Sequence, residues 1–500
     1  SRFAVSVAAV ATLVVACSTA TPPRSQALPA AVAKAPTPGP AAPDPEPWRN
    51  ARPEPGPISM HEYPAVETAK LPNGVSIYVV TRPAGVVTLS VVARGGASRL
   101  PVGKSGLAAL TTRMMTEGTV RRSSLELAEA AEAMGTTLED DAGRDSVRLG
   151  MTVLRDDVEK GLTLLAEVVD KPAFAPAELE RVRAEWLDSI EAERQSPGRL
   201  SSLVGLRLLL GPALGAPVSG SRSDVRALSR EDLVRFHAEA FVPENLAIVV
   251  VGDVTLAAVK PLAAKLFGRR KGPAHPVPMT PVTLPPAEPK QVVHWVDRPG
   301  AVQSAIFLCQ PFPKRNESGF EARQLLSELF GGFFTSRLNM NLREEHAYTY
   351  GARSLDIATR DWGTFGIMTS VRTDVTAQAL SESLSELRKV RDPSLGRPIA
   401  EGELSLARVD LEQSLGASLS HTAEVAGRVE ELFVHDLSVT YFRQYPTILD
   451  KSDARTVAAE AQRLDPSHAR IVIVGDKATA GADVAALGFT VETAAADLSD

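Results

Sequence analysis

Chemistry near neutral pH draws on a short list of side chains, and few of them stand in working arrangements here. The eight histidines contain no His-x-x-Glu-His and no His-x-x-x-His, the spacings that turn two imidazoles toward one metal on a helix face. His421 and His435 are too far apart to form such a unit, and His346, between Glu345 and Ala347, has no second histidine beside it and reads as a surface residue. The two cysteines, Cys17 and Cys309, make neither a disulfide framework nor a thiolate zinc cluster. Cys309 ends the apolar run Ala305-Ile306-Phe307-Leu308-Cys309 and reads as a small core residue. Ser336 has no Gly-x-Ser-x-Gly context, and Gly95-Gly96 is not followed by Gly-Lys-Ser/Thr, so neither a serine hydrolase nor a phosphate loop is indicated. The net charge of -6 argues against nucleic acid as a partner.

Cys17 has a different context. Arg2 is followed by an apolar run from Phe3 to Val15, short for a bilayer span. The run ends in Val14-Val15-Ala16-Cys17, which resembles the bacterial lipobox. Residues 1–17 are therefore expected to be a lipoprotein signal peptide, with Cys17 lipidated. The mature chain would be held by its lipid in the cell envelope, and Ser18 favours the outer membrane, facing the periplasm. Residues 18–60 are rich in Pro and Ala, with few large apolar side chains, and read as a disordered tether.

The elements that would position a site come in two matching sets. A Pro-rich linker, 272–290, separates a unit at 61–271 from a unit at 291–485, with a tail at 486–500. The first unit opens with apolar runs Val75 to Val80 and Val86 to Ala93 around Arg82-Pro83-Ala84-Gly85. The second opens with Val292 to Val296 and Val302 to Cys309 around Arg298-Pro299-Gly300. Each closes on a β-branched run ending in Gly-Asp, at Leu246–Asp253 and Ala469–Asp476. Between these strands lie helical stretches. Ser123 and Glu126 make a capping box, with Gly135 available as the C-terminal cap, and Pro176 to Gln195 is a charged helix read as a solvated face. The fold class is α+β, two homologous units that are each an antiparallel sheet covered by helices on one face.

On this frame, Arg94-Gly95-Gly96-Ala97-Ser98-Arg99 through Gly118-Thr119 is similar to the start of the pitrilysin/insulinase-type zinc peptidases, which include the mitochondrial processing peptidases. In that family a helix carries His-x-x-Glu-His. Aligned on Gly106 and Gly118-Thr119, the two histidine positions fall on Ala109 and Arg113, and the glutamate position on Thr112. Alanine offers no ligand, arginine brings a fixed positive charge, and threonine is no general base at neutral pH. Leu107, Leu110 and Met114 leave an ordinary apolar stripe. The family's third ligand falls on Ser189, or on Asp188 with a one-residue slip.

The second unit carries Gly331-Gly332-Phe333-Phe334-Thr335-Ser336-Arg337-Leu338 and Leu342-Arg343-Glu344-Glu345-His346-Ala347-Tyr348-Thr349-Tyr350-Gly351. These resemble the family's Gly-Gly…Ser-Arg-Leu…Leu-Arg-Glu…Tyr-x-x-Gly segment. The resemblance implies that Arg343 and Tyr350 contact a peptide substrate and its transition state, provided a partner is present; an ion pair for Arg343 and a core position for Tyr350 are the alternatives. It implies a non-catalytic subunit of a heterodimeric metallopeptidase acting on peptides or proteins of the bacterial envelope. This chain would hold no cofactor, zinc being expected in a homologous partner with an intact His-x-x-Glu-His. A stand-alone peptide-binding or scaffold lipoprotein is the second reading, and an active zinc metalloendopeptidase with a diverged site the third.

Overall fold

A computed structural model describes residues 62–272 and 292–496, together with Glu46. Cys17, residues 1–17, most of the 18–60 segment and nearly all of the 272–290 linker lie outside the described residues.

The first half runs β1 (Glu67–Lys70), β2 (Ser76–Thr81), β3 (Val86–Arg94), α1 (Leu107–Met115), α2 (Ser124–Glu132), β4 (Glu139–Ala142), β5 (Ser146–Leu154), α3 (Val158–Asp170), α4 (Pro176–Gln195), α5 (Pro197–Leu214), α6 (Arg222–Ala227), α7 (Arg230–Ala240), β6 (Leu246–Gly252) and α8 (Leu256–Phe267). The second runs β7 (Val292–Asp297), β8 (Gln303–Phe312), α9 (Phe320–Ser327), α10 (Arg337–Asn339, continued by a wide-turned stretch to Glu345), β9 (Thr349–Ala358), β10 (Gly363–Arg372), α11 (Thr376–Arg391), α12 (Glu401–Ser418), α13 (Thr422–Val434), α14 (Tyr441–Lys451), α15 (Ala454–Ala461), β11 (Arg470–Gly475), α16 (Lys477–Ala486) and β12 (Thr490–Thr493).

Each half builds a six-stranded sheet, in the orders β1-β2-β6-β3-β5-β4 and β12-β7-β11-β8-β10-β9. The five strands β2 to β6 correspond to β7 to β11, so the α+β class and the repeat hold. The sheets are not purely antiparallel: β2 pairs parallel with β6, and β7 pairs parallel with β11 and β12. The closing β-branched runs are central strands, and the helices that precede them return the chain for a parallel pairing. The expected tail at 486–500 is also corrected. β12 lies within it as an edge strand on β7, and Trp295 accepts a backbone hydrogen bond from Ala494 at 2.8 Å.

Local signals behave as physics requires. Ser123 and Glu126 form the reciprocal capping box, and Gly135 takes a left-handed φ of 70° beyond the end of α2. The helix Pro176–Gln195 has the expected ends. Its charged residues are not all solvated, however. Arg183 is buried and donates from Nη1 to the carbonyl of Val225 and from Nη2 to that of Leu228 at 2.9 Å. Those carbonyls end α6 and the turn after it, where no intrahelical donor reaches them.

One face of each sheet is covered by helices of its own half: α1, α3 and α8 in the first core, α9, α11 and α16 in the second. The other face is covered by a helix from the opposite half. Leu200, Leu203 and Val204 of α5 pack on Ala305, Val472 and Val474, and Leu206, Leu209 and Leu210 pack on Phe307 and Cys309. In return, Phe433 and Val434 of α13 pack on Val92 and Ala247. The halves therefore form one compact unit. Covering on both faces explains why β3 and β8 read as near-continuous apolar runs. It also explains why α5 is apolar around most of its circumference. The exchange places Cys309 fully buried, and burial pushes its thiol well above the ordinary range. It is a packing residue.

Candidate functional site

Gly106 starts α1 with a left-handed φ of 84°, where a Cβ would come within 2.8 Å of the Ser219 carbonyl oxygen. The helix that follows points Leu107, Leu110 and Met114 into the first core. Ala109 is buried. Thr112 is fully buried, and its hydroxyl donates to the Ala108 carbonyl one turn back at 2.8 Å, so it faces its own helix.

Arg113, which the sequence comparison put at the second imidazole position, has its charge compensated within the fold. It pairs with Glu117, one turn on, and lies 3.6 Å from Asp140 on β4. It also donates to Thr116 Oγ1 at 3.0 Å. Glu117 is buried and takes a second guanidinium, that of Arg181 on α4, together with the Ser124 hydroxyl at 2.9 Å. Arg181 is further held by Glu178 at 2.8 Å and Glu185 at 2.9 Å. Asp140 has its carboxyl raised above the usual range by burial, against the lowering pull of Arg113. The result is an ion cluster that ties α1 to α4 and to the edge strand β4.

Ser189 is exposed and donates to the Glu185 carbonyl at 3.1 Å; Asp188 is exposed as well. No hydrogen bond or ion pair joins either to α1. Among the described residues, no group of three or more His, Cys, Asp or Glu is placed to hold a metal ion. The donor set does not fit zinc: two guanidiniums close on the nearest buried carboxylate, and the remaining positions are alanine and hydroxyls. Glu117 and Arg181 were missed in the sequence. The i,i+4 spacing from Arg113 to Glu117 was a legible signal; the pairing with Arg181, 64 residues on, was not.

The second half buries some of its groups and exposes others. Gly331 lets the segment before α10 lie on β9, since a Cβ there would be 2.3 Å from the Ser354 nitrogen. Ser336 is buried at the start of α10 and accepts from Asn339 Nδ2 at 3.2 Å. Arg337 is buried, donating from Nε to Glu403 on α12 at 3.0 Å, so it is a structural cross-tie. Arg343 follows on the wide-turned stretch. Its guanidinium lies 4.1 Å from the centre of the exposed Phe334 ring and 3.5 Å from Glu344. His346 is exposed and stacks on Tyr348 at 4.9 Å. Tyr350 begins the edge strand β9 and is 92% exposed, which excludes the core position. Within the described residues no hydrogen bond, ion pair or ring contact joins Arg343 or Tyr350 to α1 or α4. The chain thus has an exposed phenol and a half-buried guanidinium on one half, and an ion cluster around a buried carboxylate on the other.

Two family models match the chain. One, described as insulinase (peptidase family M16), matches residues 77–204. The other, described as peptidase M16 inactive domain, matches residues 227–396. A Streptomyces coelicolor protein, named as an uncharacterized zinc protease, is 23% identical over 430 residues, covering 83% of this chain and 92% of its own length. Among solved structures, a peptidase M16 inactive domain from Pseudomonas fluorescens superposes with a TM-score of 0.74 at 24% identity, covering 82% of this chain and 98% of the other. A protease from Helicobacter pylori gives 0.76 at 19%, covering 82% and 99%. At these identities the superpositions speak to the fold.

Proposed function

This chain belongs to the insulinase-type peptidase family M16, and on that premise we propose that it is the non-catalytic, Arg/Tyr-bearing subunit of a two-chain metallopeptidase. A homologous partner with an intact His-x-x-Glu-His would supply the zinc and the hydrolytic water. This chain would supply Arg343 and Tyr350, whose N–H and O–H groups suit a carbonyl oxygen gaining negative charge. The observation that carries the reading is the contrast between Glu117, a buried carboxylate taken up by both Arg113 and Arg181, and Tyr350, which is almost wholly exposed on the segment that also carries Arg343. The substrates would be peptides or proteins of the bacterial envelope, with Cys17 as the lipid anchor holding the complex there.

The test is steady-state peptide cleavage by this chain reconstituted with an intact-motif partner, with complex formation followed separately. Tyr350→Phe should lower turnover by about 10- to 1000-fold, and Arg343→Ala at least as much, with assembly unchanged. Full turnover by both assembled variants would make the stand-alone scaffold the better reading. Elemental analysis of the isolated chain should find no stoichiometric zinc; one zinc per chain would favour the active single-chain alternative. Cys17→Ala should release the protein from the membrane fraction, and an unmodified Cys17 in mature, membrane-bound protein would remove the lipid anchor from the reading.

A further inference from the structure

Away from both regions, a cleft of about 260 Å3, open to solvent, lies between the end of β3, the turn after it, the first turn of α1 and α7. That is just below the usual range for small-molecule pockets, about 300–1,000 Å3, and suits a slender ligand. Its floor is mostly apolar, with Leu100, Leu107 and Phe236 all buried. Four cations, Arg94, Arg99, Lys104 and Arg235, line it against two carboxylates, Asp232 and Glu239.

Most of these charges are already committed. Lys104 lies 2.7 Å from Asp232, whose Oδ2 also accepts from the Ser229 amide at 2.9 Å. Arg94 is held by Asp436 and the Phe433 carbonyl, with its guanidinium 4.2 Å from the Phe433 ring centre. Arg235 is exposed, at 4.0 Å from Asp232, and Glu239 sits on the exposed rim. Arg99 is different. It is half-buried, it lies across Gly95, and among the described residues its side chain makes no hydrogen bond and no ion pair. Burial lowers its pKa, with Asp361 and Asp145 pulling the other way and Arg360 adding to the lowering. A desolvated guanidinium with five N–H donors and no acceptor, beside an apolar floor, is an incomplete arrangement.

We propose that this cleft binds a small carboxylate-bearing molecule with an apolar body, its carboxylate on Arg99 and its body on Leu100, Leu107 and Phe236. The carboxylate would complete a forked pair with the guanidinium, and the body would exclude water from it. Such a ligand could be a medium-chain alkyl carboxylate or the free C-terminus of a short apolar peptide.

The test is calorimetric titration of the whole chain with decanoate and, separately, with N-acetyl-leucyl-leucine as the free acid. Binding by either supports the site, and the tighter one identifies the source of the carboxylate. Decanol and the peptide amide should bind at least about tenfold more weakly, because loss of one charge-assisted pair is worth that much or more. Arg99→Gln should weaken the acid by a similar factor. A diazirine-bearing decanoate, photolysed on the wild-type chain, should label α7 near Phe236; this arm stands even if Arg99→Gln fails to fold. The proposal is overturned if neither acid binds, if decanol binds as well as decanoate, if a folded Arg99→Gln binds unchanged, or if the label falls elsewhere.

Discussion

The two halves exchange helices, yet the two seams are made of different material. Where α5 lies on the second sheet, the contact is mainly apolar, with Arg470 of β11 donating to the Leu208 carbonyl at 3.4 Å. Gly205 lets the helix come so close that a Cβ there would be 2.5 Å from the Phe307 ring. Where α13 lies on the first sheet, the middle of the contact is polar. Thr88 donates to Thr422 at 2.8 Å, Ser90 donates to Glu430 at 2.5 Å, and Arg148 holds the same carboxylate at 3.0 Å. Burial raises the Glu430 carboxyl even with Arg148 lowering it, and Arg148 is in turn raised once Glu430 and Glu139 outweigh its own burial. An apolar seam holds by area and tolerates sliding. A polar seam holds by direction, and each buried group that loses its partner keeps its desolvation cost. A sequence repeat therefore need not carry repeated energetics.

The largest effects should come from breaking each seam in turn. Phe307→Ala removes a fully buried ring between α5 and β8. It should cost about 3–5 kcal/mol, read as loss of unfolding free energy in denaturant titration. A loss under about 1 kcal/mol would mean that α5 does not hold the sheet. Glu430→Ala leaves the Ser90 hydroxyl and Arg148 Nε without their partner in a buried seam, Arg148 keeping only Glu139, and should cost about 3 kcal/mol. Glu430→Ala with Arg148→Met should recover a large part of it; no recovery in the double mutant would deny the directional account.

Next comes an acid response from His237 in the first half. His237 is packed between Phe174 and Phe241, with its Nε2 2.8 Å from the Val169 carbonyl oxygen. Burial lowers its pKa from 6.5 to about 4. The unfolded chain therefore takes up this proton first as pH falls. The stability that His237 contributes as a neutral ring is complete above about pH 6.5 and lost as pH falls toward 4. Between pH 7 and 5 the loss should be about 2 kcal/mol. The stability gap between wild type and His237→Gln should narrow by that amount over the interval. Opposing shifts elsewhere, such as Glu328 raised to about 7 by burial and by Asp410, cancel in this difference. A gap that stays constant with pH would place His237 in contact with water.

The smaller effects test the ion cluster around Glu117 and the exposed Tyr350 in turn. Glu117→Gln keeps the shape but removes the charge that two guanidiniums share, and should cost about 1–2 kcal/mol, because Arg113 and Arg181 can still reach water. Tyr350→Phe should change stability by less than about 0.5 kcal/mol, since the ring is almost wholly exposed. A large loss there would show that Tyr350 is structural, and the functional contrast between the halves would fail.

Much of this was legible without coordinates. The matching strand runs ending at Gly252-Asp253 and Gly475-Asp476 gave the repeat, because a buried strand must be β-branched and must end where the chain turns. The capping box at Ser123 and the span of α4 were written in local chemistry. The absence of His-x-x-Glu-His was legible, since a missing imidazole is a statement about residue type alone. The role of the residues around them was not. Arg181 and Arg183 look like any charged helix face, and only packing turned one toward Glu117 and the other toward the carbonyls after α6.

What the sequence determined by itself was every feature fixed by neighbours a few residues away: strands, caps, the twofold repeat and the absence of His-x-x-Glu-His. What the tertiary structure alone decided was partnership. The parallel placement of the closing strands, the β12 edge in the supposed tail, the exchange of α5 and α13, and the second guanidinium on Glu117 each join residues far apart in the chain. Hydrophobic patterning says that a face must be covered but not by what, because burial of apolar area has no direction. Which helix covers which sheet is settled only when the whole chain finds the arrangement that leaves the fewest buried polar groups without a partner.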